Sequence, residues 1–176
     1  MKKYKLEIKE NNINNNKVEK PKFIADIMLG KLARYLRIFD YDVLYFQKIS
    51  DKDIVNKAEK ESRIVLTRDY KMIRRSPFKY GIVKFLFISD DKVLKQLEQL
   101  VKELNLELKI NLIRCIECNH ILEKVDKEKV KGKVPVYVYK STTNFAYCSN
   151  CDKYYWEGTH LKLMNKRFSS LIKSAE

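Results

Sequence analysis

The sequence predicts an α/β fold: a mostly parallel, Rossmann-like sheet flanked by helices, followed by a small cysteine-bearing unit. Three observations predict it. Between residues 23 and 113, short apolar runs alternate with segments whose apolar residues recur every three or four positions, the pattern of βα units. Two of the runs, 64–66 and 85–88, are continuously apolar, as strands buried on both faces are. All four cysteines fall after this block, as Cys115-x2-Cys118 and Cys148-x2-Cys151.

Residues 1–21 read as a flexible basic tail. A weak alternation of Tyr4, Leu6 and Ile8 allows a short edge strand at 3–9, and the Asn-rich NNINNN follows it. The α/β domain occupies 22–113. It begins with a strand at 23–25, ending at Asp26. A helix over 28–39 follows, with Met28, Leu29, Leu32, Ala33, Leu36 and Phe39 on its apolar face and Lys31, Arg34 and Arg37 mostly off it. A second strand covers 42–46. Ser50 and Asp51 are natural N-cap residues for a helix to about Lys60, with Ile54, Val55 and Ala58 facing inward. Strand 63–67 leads to a short basic helix near 70–75, broken by Pro77, and then to strand 82–88. A longer helix from Asp90 to Leu104, opened by Asp90 and Asp91 behind Ser89, buries Val93, Leu94, Leu97, Leu100, Val101 and Leu104. A strand at 107–113 closes the block.

The two cysteine pairs are 29 residues apart, and each can present two sulfurs to one tetrahedral ion. With VPVYVYK (134–140) and KYYW (153–156) as strands and DKEKVKGK (126–133) as a loop, residues 114–160 predict a zinc ribbon. Four thiolates close the coordination sphere, so a zinc ion held by Cys115, Cys118, Cys148 and Cys151 is structural. A cytosolic chain disfavours two disulfides, and the position after the α/β block disfavours a redox pair. His120 and His160 are spare and take surface or packing roles. Residues 161–176 form a helical tail.

No apolar run approaches the roughly 20 residues of a membrane helix, and the N-terminus lacks the apolar core of a signal peptide. The expected location is the cytoplasm. The chain carries a formal charge of +14, which suits a polyanionic partner, most simply nucleic acid; on charge alone a merely solvated lysine-rich surface accounts for it equally well. Residues 68–80 (RDYKMIRRSPFKY) concentrate +4 of it in Arg68, Lys71, Arg74, Arg75 and Lys79 against Asp69. Tyr70 and Tyr80 there can stack on bases. Phe78 fits core packing better.

Asp26 and Asp69 each stand where a predicted strand ends, the edge at which parallel sheets place their working crevice. Asp51 or Asp53 starts a helix. Converging, they make an all-oxygen site for Mg²⁺ or Mn²⁺, with Thr67 steadying Asp69 and Arg68 or Lys31 neutralising phosphate oxygens. Each acid also has an ordinary reading as a helix cap, and both readings stay open on spacing alone.

FIADIMLGKLARYLRIFDYD (23–42), SDKDIVNKAEKESRIVLTRD (50–69), the two cysteine pairs and YYWEGTHLKLM (154–164) resemble the PIN-like ribonucleases related to the C-terminal RNase domain of Mut-seven-type exonucleases. The resemblance implies a PIN-like fold, a zinc ribbon and metal-dependent RNA cleavage, with the acidic set on Asp26, Asp51 and Asp69 and with Asp53 adjacent. Asp40 stands where the family usually has Gly, and Tyr35 where Trp is common. No clear fourth carboxylate emerges, so one metal or two stays open, as do oligomeric state and a protein partner. RNA contacts are expected from Lys31, Arg34, Arg68, Lys71, Arg74 and Arg75. The competing readings are a non-catalytic RNA- or ribosome-binding protein and, more remotely, a phospho-acceptor domain.

Overall fold

The computed structural model describes residues 20–111, 113–158, 163–164, 166–169 and 171. The expected strand at 3–9, nearly all of the tail and His160 lie outside them. The first sheet holds β1 (Phe23–Ala25), β2 (Val43–Tyr45), β3 (Ile64–Thr67) and β4 (Phe85–Phe87), all parallel, in the order β2-β1-β3-β4. After β1 come a 3-10 turn (Ile27–Leu29) and α1 (Gly30–Ile38); α2 (Asp51–Lys60) joins β2 to β3. The chain thus leaves β1 for one neighbour and returns to the other, so the order reverses between β1 and β3. Ligand crevices of open α/β sheets form outside the strand ends at such a reversal.

Strand alternation sets which residues face which helices. Phe23, Ala25, Leu66 and Leu86 join Leu32, Ala33 and Leu36 of α1 in one core, together with Leu97 and Leu100 of α5 (Val93–Leu104). Ile24 and Val65 join Ile54 and Ala58 of α2 in a second. Register pairs Ala25 with Leu66, so the next residues, Asp26 and Thr67, leave the sheet side by side with the parity of the α2 face.

Several expectations are corrected. Pro77 starts a helix rather than ending one: α3 (Tyr70–Ile73) is followed by α4 (Ser76–Lys79), with Pro in its first turn, where the missing N–H costs nothing. α5 starts at Val93, and Asp90 Oδ1 instead accepts the Lys92 N–H at 2.7 Å just ahead of it. Met28 is 61% exposed, because the 3-10 turn displaces it from the α1 stripe. Residues 107–111 pair with no strand: Leu106 and Leu108 are buried, but the backbone bonds to the Tyr41 hydroxyl and to Ile38 instead. Alternation reports a buried face, and here that face rests on α1 and α5. Asp40 has φ 66°, a left-handed turn that glycine adopts without strain and Asp tolerates.

The C-terminal part is an antiparallel sheet of β5 (Glu123–Val125), β6 (Phe145–Cys148) and β7 (Lys153–Trp156). The expected strand at 134–140 is instead α6 (Val136–Ser141). Val138 of this helix packs with Val130, Val134 and Phe145, the first two of which lie in the 3-10 turn and the bend that precede it. Val136 and Tyr137 are exposed. The described residues 163–164, 166–169 and 171 are helical, and Phe168 inserts against Tyr35 and Phe39 of the first core. No helix among the described residues is long and apolar enough to cross a membrane.

The first cysteine pair docks on the edge strand β2. Asn119 Oδ1 accepts the Val43 N–H at 3.0 Å, while Arg37 donates to the Val43 carbonyl and to the carbonyls of Ile116 (2.9 Å) and Glu117 (2.7 Å). The outward N–H and carbonyl of Val43, which a sheet edge would otherwise expose, are thereby occupied.

Candidate active site and metal centre

At the reversal between β1 and β3, Thr67 is fully buried and Asp26 is 5% exposed. The Thr67 hydroxyl donates to Asp26 Oδ2 and accepts the Asp69 N–H at 2.9 Å. Asp26 Oδ2 also accepts the Arg68 N–H at 2.9 Å, and its Oδ1 accepts the Met28 N–H at 2.8 Å. Asp26, Thr67 and Asp69 are therefore one hydrogen-bonded unit, and a strand that leads into Thr-Arg-Asp does so to build it. Asp69 Oδ1 accepts the Lys71 N–H at 2.7 Å, which caps α3, and Oδ2 has no hydrogen-bond partner among the described residues.

Asp51 and Asp53 open α2 on the same face of the sheet. Asp51 Oδ2 pairs with Arg75 Nη2 at 2.8 Å, which draws the α3–α4 junction over to α2. Asp53 forms a reciprocal cap with Ser50: its N–H donates to the Ser50 hydroxyl, which in turn donates to Asp53 Oδ2 at 2.6 Å. Among the described residues the only group of three or more potential ligands close enough to hold an ion is the set of four cysteines. The acids thus make no closed cage. Both oxygens of Asp26 are already engaged by protein donors, whereas Asp69 Oδ2 meets none among the described residues.

The basic segment is deployed as its sequence suggests. Lys71, Arg74 and Arg75 are exposed, Arg74 lies 5.4 Å over the Tyr70 ring, and Tyr70 and Tyr80 are exposed; Phe78 is buried against Phe85. Arg68 is partly buried beside Asp26 through its backbone. Lys31 and Arg34 do not join the acids. They line a separate groove of about 590 Å³ between α1, β7 and the C-terminal helical residues, and Arg34 pairs there with Glu117.

The four cysteine sulfurs lie within 4.8 Å of one another, with Cys118–Cys148 at 3.5 Å and Cys115–Cys151 at 3.9 Å. A tetrahedral ion with bonds near 2.3 Å separates its sulfurs by about 3.8 Å, so the set fits zinc. Asn119 and Asp152, each just after the second cysteine of a pair, have φ 74° and 53°, left-handed positions that Asn and Asp tolerate. Burial opposes ionisation of Cys118, but hydrogen bonds from the His120 backbone and neighbouring thiols outweigh it and bring the thiol down to about 6. Cys151, bonded toward Cys118, is pushed up to about 12. An ion must displace the remaining protons.

Sequence reasoning missed the groove and the exposed Ile27 and Met28 beside Asp26. Three consecutive aromatics at 154–156, more than a three-stranded sheet needs for its core, were the available signal. The sequence model of the Mut7-C RNAse domain family matches residues 21–168. No curated protein and no solved structure matches the chain.

Proposed function

We propose, from the premise that this chain belongs to the Mut7-C RNAse domain family, that it is a divalent-metal-dependent ribonuclease of PIN-like fold. In this reading 22–113 is the nuclease unit, 114–160 a zinc ribbon that assists RNA binding or stability, and 161–176 a helical tail; the protein works in the cytoplasm. The observation that carries the proposal is the Thr67 hydroxyl, which ties Asp26 to Asp69 at the switch point between β1 and β3.

A divalent ion held there would polarise the scissile phosphate and supply a more acidic bound water. Asp26, held by three donors, is the rigid wall; Asp69 presents its Oδ2 to the ion; Asp51 is the third acid, with Arg75 as its counter-ion until phosphate takes that cation. Arg68, Lys71 and Arg74 hold the RNA backbone against the mutual repulsion of phosphate and acids. The water oxygen would form a new P–O bond as one ester P–O bond breaks, and the proton the water gives up would end, through solvent, on the departing ribose oxygen.

Asp69→Asn is the discriminating variant. Asn caps a helix as well as Asp, so α3 is kept and only the charge is lost. Cleavage of unstructured RNA in Mg²⁺ or Mn²⁺ is expected to fall at least about a hundredfold, with melting temperature and RNA affinity nearly unchanged. Retained turnover would overturn the assignment. Asp26→Asn is a poorer probe, because it places an amide against donors in a buried site.

One set of contacts favours a second reading, a non-catalytic RNA-binding protein: Asp26, Asp53 and Asp69 all accept helix-start N–H or cap bonds, and Asp51 is paired. It predicts salt-sensitive RNA binding with no metal-dependent cleavage at all.

A further inference from the structure

The groove beside α1 belongs to neither the acids nor the thiolate cluster. Lys31, Arg34, Tyr35 and Ile38 form one stripe along α1 and its floor; Tyr155 and Trp156 of β7 form the opposite wall, and Leu163 and Arg167 the rim. We infer that it is a nucleobase-stacking subsite for single-stranded RNA, at a distance from the cleaved phosphate. The inference rests on the ribonuclease reading for its place in catalysis, but the binding does not depend on it.

Four features point to this occupant. Lys31, Arg34 and Arg167 bring three cations to the groove, and no carboxylate lines it among the described residues. Arg34 is held by Glu117, whereas among the described residues no ion pair involves Lys31 or Arg167. The wall is aromatic, and rings flanked by cations are how proteins hold unpaired bases without reading their sequence. Tyr155 is fixed by its hydroxyl at 3.1 Å from Cys115 Sγ, and Trp156, half-buried against the Phe145 cluster, is held with Gly158 close by its edge, where a Cβ would lie 3.2 Å from Nε1. Finally, one short segment joins the two places: the 3-10 turn after Asp26 leads directly into α1, whose Lys31 and Arg34 line the groove.

Trp156 is the sole tryptophan, so its emission reports the groove directly. The zinc-loaded full chain is titrated, without added Mg²⁺ or Mn²⁺, with a ten-nucleotide single-stranded oligoadenylate, with the same RNA as a duplex, and with an abasic strand of equal charge. Saturable quenching is expected with the single strand and little with the other two. Lys31→Glu with Arg167→Glu, which alters no core residue, is expected to weaken binding at least about tenfold, and Trp156→Leu roughly five- to a hundredfold. Unchanged emission at saturating RNA, with binding still seen by anisotropy, overturns the subsite while leaving the ribonuclease reading intact. So does wild-type affinity in the double variant, which decides the matter even where Trp156→Leu fails to fold. Quenching without cleavage once Mg²⁺ or Mn²⁺ is added keeps the subsite and defeats the nuclease.

Discussion

Arg37 is 2% exposed and spends its guanidinium on three backbone carbonyls, at Val43, Ile116 and Glu117, with no carboxylate among its hydrogen-bond partners. Burial lowers its pKa, and the nearby Cys118 and Cys115 thiols oppose that. A zinc ion on four thiolates leaves a net charge of −2, so a loaded metal site supplies the anion that this cation lacks. Arg37→Met is therefore expected to strand buried carbonyls, lower stability by about 2–4 kcal/mol, and speed zinc loss to a chelator. Thermal melts beside a chelator competition test both halves; a variant with wild-type metal retention would break the link. Asp42 works in the same neighbourhood. Burial alone would raise its carboxyl, yet bonds from Arg63 (2.7 Å) and Asn119 (2.8 Å) hold it below the usual range.

At the level of elements, the first cysteine pair and β2 complete one another. Val43 sits on the sheet's outer edge, and its N–H has Asn119 Oδ1 as acceptor, one residue after Cys118 of the thiolate cluster. Metal removal or Cys118→Ser is thus expected to speed hydrogen exchange of the Val43 amide at least about tenfold, while Val65, inside β3 and bonded within the sheet, changes little. Equal protection with and without metal would show that the pair docks independently of its ion. The same elements show where sequence is legible. Strands at 23–25 and 64–67 and the α1 and α2 stripes were readable because burial on one or two faces writes itself into local periodicity. The 134–140 segment was not, because alternating Val and Tyr fit a strand, whereas the chain folds 136–141 into a helix that buries Val138 with Phe145 and leaves Val136 and Tyr137 exposed.

For the whole molecule, the +14 charge gives a direct expectation. RNA affinity should fall with salt at a log–log slope of about −0.7 per phosphate neutralised, and Lys71→Ala with Arg74→Ala should flatten it by roughly 1–1.5. An unaltered slope would remove the 68–80 segment from the interface. By itself the sequence determined the α/β class, the thiolate set, the basic segment and the strand-end placement of Asp26 and Asp69. These follow from spacing along the chain, and spacing is local. Only the tertiary structure decided that Thr67 bridges those two acids, that Arg75 holds Asp51, and that Lys31 and Arg34 belong to a groove with Trp156 rather than to the acids. Each of these joins residues dozens of positions apart. Which of them meet depends on the order β2-β1-β3-β4 and on the docking of 115–119 against the sheet edge, and neither is written in local periodicity.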